Sequence, residues 1–124
     1  MDNFQQDHLN IVIETTVKEL QKHRFDAHAF TDRQSLLKFI NENAADANTV
    51  GVAGTHTVRN LGIVSMLEEA GKTLFDHWKF KPGTPEELDC RKKQMTCDLF
   101  ITSANAVTMT GEIVNREGCG NRIN

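Results

Sequence analysis

The chain has 124 residues, 39% hydrophobic and 25% charged, the size and composition of one globular domain, which excludes disordered and collagen-like chains. Fourteen Lys and Arg against seventeen Asp and Glu give a net charge of −3, with one Trp and no Tyr, so a basic, aromatic-lined nucleic-acid surface is not expected. No apolar run approaches the roughly 18 residues of a membrane span, and the start Met1-Asp2-Asn3-Phe4-Gln5-Gln6-Asp7 has neither the basic nor the apolar part of a secretion signal; a soluble cytoplasmic protein without membrane partners is expected.

Leu9, Val12, Ile13, Val17 and Leu20 recur at spacings of three and four, which predicts an amphipathic helix over residues 7–23. Phe25 to Phe30 reads as a short strand, and Thr31-Asp32-Arg33-Gln34 as a capping box with Thr31 at the cap. The helix it opens buries Leu36, Leu37, Ile40 and Ala44. Thr49-Val50-Gly51-Val52-Ala53 is a second strand, followed by Gly54-Thr55-His56-Thr57 and one helical pattern at Val58, Leu61, Met66 and Leu67 that ends at Gly71. Lys72 to Phe75 is a third strand. Thr84-Pro85-Glu86-Glu87 is the strongest helix start in the chain, with Thr at the cap and Pro first in the helix. Asp98 to Thr102 is the fourth strand. Ala106-Val107 and Glu112 to Asn115 read as short extended segments around Gly111, and Arg116 to Asn124 as a Gly/Asn-rich terminus.

Four strands separated by helical patterns are spaced too widely for hairpins and suit right-handed crossovers, so the expected fold is α/β with a parallel sheet covered by helices. In such sheets ligands bind beyond the carboxyl ends of the strands. Thr31-Asp32, Gly54 to Thr57, Asp76-His77-Trp78 and Ser103 to Ala106 are expected at that edge. Gly54 with Thr55 and Thr57 has the character of an anion cradle, although the two hydroxyls equally suit a helix cap. His56 is a candidate base, but a lone loop His is more often a surface residue. The polar run from Ser103 to Glu112 suits a ligand edge or simple turn chemistry. Arg122 suits a carboxylate or phosphate, or plain solvent exposure. The Asp76-His77 pair has half of an acid/base dyad without a nucleophile at fixed spacing, and reads as a strand-end loop. Cys90, Cys97 and Cys119 follow no zinc or iron–sulfur spacing, so no metal site is expected and the thiols are read as reduced.

The run Cys97 to Thr108, then Gly111-Glu112-Ile113-Val114-Asn115, then Gly118-Cys119-Gly120-Asn121-Arg122 resembles the signature of the LUD-domain family of lactate utilisation proteins, and Val52 to Thr57 with Gly62-Ile63 is similar to that family's Gly/Ser/Thr loop. The resemblance implies a Rossmann-like parallel sheet similar to the NagB/RpiA/CoA-transferase group, and a bacterial role in oxidising L-lactate to pyruvate beside iron–sulfur proteins. On that basis no cofactor is expected on this chain, and an iron–sulfur cluster only in a partner. Gly54, Thr55, Thr57, Ser103, Asn105, Thr108 and Arg122 are the expected ligand contacts for a small anionic metabolite. Family members commonly carry an acidic residue where this chain has Met109, which leaves His56 and Glu112 as catalytic candidates. The family pattern also continues past Gly-Asn-Arg, so the chain is expected to be a single LUD-like domain lacking its C-terminal part. An exposed sheet edge would then favour a homo-oligomer. The other readings are a noncatalytic assembly module that docks on an iron–sulfur protein, and a phosphosugar or CoA-ester enzyme like the fold relatives.

Overall fold

Valines flanking a glycine suit a strand that is covered on both faces, and β1 (Thr49–Val52) is the central strand of the sheet, with Val50, Gly51 and Val52 all buried. The computed structural model, which describes residues 2–118, pairs β1 in parallel with β2 (Thr73–Asp76) on one side and β3 (Leu99–Ile101) on the other. Gly51 lies opposite Phe75 and Phe100, and Val52 opposite Asp76 and Ile101. The helices α3 (His56–Asn60) and α4 (Ile63–Glu69) cross from β1 to β2, and α5 (Pro85–Gln94) crosses from β2 to β3. α2 (Arg33–Asn43) precedes β1. The fold is α/β with a parallel sheet flanked by helices, as the spacing of the patterns predicts.

These elements belong to one of two compact units, formed by residues 32–103 and 117–124; the other contains residues 1–31 and 104–116. In the sheet-bearing unit the core is built from Ala44, Ala47, Val50, Val52, Val58, Ile63 and Leu67. Val50 and Val52 point to the side of α2 and α4, so Gly51 points to the side of α5. A Cβ on Gly51 would stand 2.9 Å from Cys97 Sγ and from Phe100, and 3.2 Å from the Cα of Gln94. The missing side chain is therefore what lets the last turn of α5 rest on the central strand. At the opposite end of the strands, Asp98 Oδ2 accepts the amides of Asn48 (2.9 Å) and Thr49 (3.0 Å), while Thr49 Oγ1 accepts the Asp98 amide. Those donors hold the Asp98 carboxyl below the usual carboxylate range.

The other unit contains α1 (Asn3–Lys22), capped by Asp2, and a hairpin of β4 (Ala106–Val107) and β5 (Ile113–Val114). Gly111 turns the hairpin at φ +85°. A Cβ there would stand 2.7 Å from the Glu19 carbonyl, and its own carbonyl meets His23 Nδ1 at 2.6 Å. Only glycine satisfies both the left-handed backbone and the close approach to α1.

Four sequence expectations are corrected. Phe25–Phe30 forms no strand: α1 closes with Arg24 at φ +68°, Gln21 takes the Ala27 carbonyl, and Asp26 pairs with His28. The Ala27 carbonyl and the Asp26–His28 pair find local partners there, and among the described residues the parallel sheet has three strands. The cap of α2 is Asp32 and not Thr31, because the Asp32 carboxylate accepts both the amide and the hydroxyl of Ser35 (2.7 and 2.8 Å), and a charged acceptor is the stronger cap. The single helix expected over Val58–Leu67 is two, broken at Gly62 with φ +80°; Arg33 seals the break by donating to the Leu61 carbonyl at 2.8 Å. Thr31-Asp32 therefore follows no strand and is not part of a strand-end edge.

Gly51→Ala is expected to lower stability by about 1–3 kcal/mol through overpacking, measured by urea unfolding followed at the single Trp. Parental stability would contradict the close seating of α5.

Candidate functional site

The three parallel strands end side by side, and the residues just past them build a crevice: Ala53-Gly54-Thr55 after β1, His77-Trp78 after β2, and Thr102-Ser103 after β3. The ladder runs one bond further, from the Ala53 amide to the Ile101 carbonyl at 3.0 Å. Beyond it, Thr55 Oγ1 and Ser103 Oγ lie 2.7 Å apart. Thr55 is 4% exposed and Ser103 half-buried, so a partly buried hydroxyl pair joins loops that are 48 residues apart in sequence.

Arg59, on the last turn of α3, closes the crevice from below. One guanidinium nitrogen donates to the Ala53 carbonyl (2.9 Å) and to the Thr55 carbonyl (2.7 Å), and the other to Asp76 Oδ1. The same guanidinium stands 3.8 Å from the centre of the Trp78 ring. The ends of β1 and β2 are thus tied by one side chain whose charge is matched on both faces. Asp76 Oδ1 also takes the Trp78 amide at 3.0 Å, which sets the 3-10 turn His77–Lys79. His56 packs against the far part of the Trp78 ring, with centroids 4.8 Å apart.

His77 is buried, at 4% exposure. Its Nδ1 is 3.0 Å from the amide nitrogen of Gln94, which also lies 2.9 Å from the Val52 carbonyl and 2.9 Å from the Phe75 carbonyl. The two flanking carbonyls require the Gln94 group to be NH₂ and not oxygen. An NH₂ group offers protons and no lone pair, so this contact favours the tautomer with the His77 proton on Nε2. Burial, with Arg91 and then Arg59 adding to it, lowers the His77 pKa against the opposite pull of Asp76 and Glu87.

The sequence-predicted site residues divide between the two units. Gly54, Thr55 and Ser103 come together at the strand ends. Thr57 and His56 lie exposed in the first turn of α3, a helix of five residues too short to supply much dipole. Asn105, Thr108 and Glu112 belong to the other unit and build its hairpin: Asn105 Oδ1 takes the Arg116 amide, Thr108 Oγ1 takes the Glu112 amide, and Glu112 accepts from Thr110. Arg122 lies outside the described residues, as does Cys119. Arg59 and Gln94 escaped the sequence reading. A signal for Arg59 was present: an arginine four residues after Thr55, one helical turn from a strand-end loop, faces back toward it. Gln94 left no such trace.

Other recesses in this unit are of a different kind. A cleft of about 540 Å³ beside β2 and α5 is lined by Leu74, Phe75, Phe80, Pro85 and Cys90. Burial raises the Cys90 thiol pKa, so the thiol stays protonated and unreactive. A smaller recess lies against His77, Trp78, Phe80 and Pro82, bounded by the ion pair Arg91–Glu87 at 2.5 Å. Among the described residues no three His, Cys, Asp or Glu side chains are grouped to hold a metal ion, and no helix is long and apolar enough to cross a membrane.

A parallel sheet flanked by helices, with polar loops gathered at its carboxyl edge, places this unit in the α/β class. The chain belongs to the LUD domain family, whose model matches residues 13–124. No curated protein and no solved structure matches it.

Replacing Arg59 by Met leaves the Asp76 carboxylate buried without its partner, and is expected to lower stability by about 3 kcal/mol in urea unfolding; an unchanged midpoint would contradict the clamp. For His77, a depressed folded pKa means that the unfolded chain binds its proton first as pH falls. Stability is then constant above about 6.5 and declines below it toward the folded value. Glu87, whose carboxyl is lowered by Arg91 and the Gly83 amide, extends the loss to acid below about 4.3. His77→Gln is expected to remove the portion of the slope just below pH 6.5, read from unfolding curves across pH.

Proposed function

We propose that this chain is a LUD domain that binds a small anionic metabolite at the carboxyl edge of its sheet and serves the oxidation of L-lactate to pyruvate in a bacterial lactate-utilisation system. The observation that carries the reading is the partly buried Thr55–Ser103 hydroxyl pair beside Gly54. Hydroxyl groups bind a carboxylate by donating to it, and a glycine next to them lets a ligand approach the main chain. Gly54, Thr55 and Ser103 hold the ligand in this reading, with Thr57 at the rim. Lactate and pyruvate fit by size and by their single carboxylate.

A second reading is a noncatalytic module that docks on an iron–sulfur protein of the same system. It is favoured by the placement of the two catalytic candidates: His56 is exposed against Trp78, and Glu112 is engaged in a hairpin turn of the other unit. In either reading the cluster belongs to the partner. Among the described residues no further strand pairs with the outer edge of β2 or of β3, which supports self-association of the chain.

Calorimetric titration with L-lactate and pyruvate separates the two. The ligand-binding reading predicts saturable heat with at least one of them, and about tenfold weaker binding in Thr55→Val, a fold-change worth about 1.4 kcal/mol. Absence of heat with both would favour the assembly module.

A further inference from the structure

The unit that contains α1 has little interior to set against its apolar surface. Among its described residues no side chain is buried, and it carries most of the exposed large hydrophobic side chains, from Phe4, Leu9 and Ile11 on α1 to Val107, Ile113 and Val114 on the hairpin. Val12, Ile13, Val17 and Leu20 are half-buried along one side of α1. Phe4 and Ile11 stand on another side, two turns apart, and are 87% and 61% exposed. The charges beside this second stripe are segregated along the helix: Asp7 and Glu14 lie toward its N-terminus, Lys18 and Lys22 toward its C-terminus. Asp7, Glu14 and Lys18 form no ion pair among the described residues. The C-terminal half of the same face holds a shallow groove lined by Thr15, Lys18, Glu19, Gln21 and Lys22.

We propose that this face of α1 is a homodimer contact, in which the α1 helices of two copies of the chain lie antiparallel. The surface is distinct from the sheet edges, and the proposal does not depend on the ligand-binding reading. Charge selects both the occupant and its direction. A parallel pair sets acid beside acid and base beside base, whereas an antiparallel pair lays the acidic half of each helix on the basic half of the other. One register satisfies the whole stripe. Asp7 and Lys18 are eleven residues apart, three turns, and so share one edge of the face. With Asp7 opposite Lys18 of the second copy, Phe4 falls opposite Gln21, over the groove, and Ile11 falls opposite Glu14 and next to Thr15. The Phe4 ring then rests on the methylene stems of Lys18 and Lys22, whose ammonium groups stay in water. A two-fold axis repeats each contact, so every dimer holds two Asp7–Lys18 pairs and two seated Phe4 rings. One helix face is a small interface, and the association is accordingly weak and reversible.

Sedimentation equilibrium of the full chain across a range of concentrations tests the contact. A monomer–dimer equilibrium is expected, and it weakens as salt is raised. Phe4→Ser and Ile11→Ser are each expected to raise the dissociation constant roughly tenfold, with helix content by circular dichroism unchanged. Asp7→Lys and Lys18→Asp are each expected to weaken the dimer about fivefold. Combining the two is expected to restore it, because the antiparallel geometry brings the exchanged charges together again. A dimer of parental strength in the serine variants would overturn the assignment and move the contact to another surface such as the sheet edges. Further weakening in the combined charge variant would overturn the antiparallel arrangement. A monomer at every concentration would overturn the proposal outright, and binding of that monomer to phosphatidylglycerol vesicles would assign the face to a lipid surface instead.

Discussion

The guanidinium of Arg59 is the constraint on which the strand-end crevice depends. Parallel strands leave their last carbonyls unpaired, and in this chain two of those carbonyls, at Ala53 and Thr55, are taken by one side chain that also neutralises Asp76 and supports Trp78. A buried ion pair adds little net stability when compared with apolar packing, because desolvation offsets the attraction. Its value lies in geometry. The planar fork fixes the Gly54 loop against the end of β2, and a lysine with one point charge cannot make the same three connections.

A second chain of causes reaches the same place from the other face of the sheet. Gly51 admits the last turn of α5, α5 delivers the Gln94 amide between two strand-end carbonyls, and that amide decides which nitrogen of His77 is protonated. Each link is a packing or hydrogen-bonding requirement of the fold. Together they hold a buried imidazole in place at the carboxyl edge of the sheet. Catalytic chemistry does not follow from it: a histidine whose bare nitrogen is occupied is a donor and a poor base.

Much of the fold was legible in the residues. Thr84-Pro85 marked the start of α5 because its cap chemistry is local, and the strands around residues 51, 74 and 100 stood out as short apolar runs between helical patterns. Phe25–Phe30 misled because alternation records which side chains are apolar and not whether a neighbouring strand exists to complete the ladder. Gly62 was read as part of a helix because its left-handed backbone is invisible in periodicity. Of the candidate site, the Gly54–Thr55 loop and Ser103 were legible from their positions after strands. Gln94 was not, since a glutamine at a helix end is ordinarily a solvated residue and only the close approach at Gly51 turns it inward. His77 and Trp78 were in view as a strand-end loop, but their packing is a tertiary property.

These interactions describe a small α/β unit of a LUD-domain chain whose carboxyl edge is held from both sides, by Arg59 on one and by Gln94 on the other, with the hydroxyls of Thr55 and Ser103 side by side at the ends of β1 and β3. The most direct measurement is a crystal structure of the chain grown with pyruvate. The account predicts planar density for the carboxylate beside Gly54, within hydrogen-bond distance of the Thr55 or Ser103 hydroxyl. Ordered pyruvate confined to the apolar cleft at Cys90, or a crevice holding only solvent at saturating ligand, would contradict it.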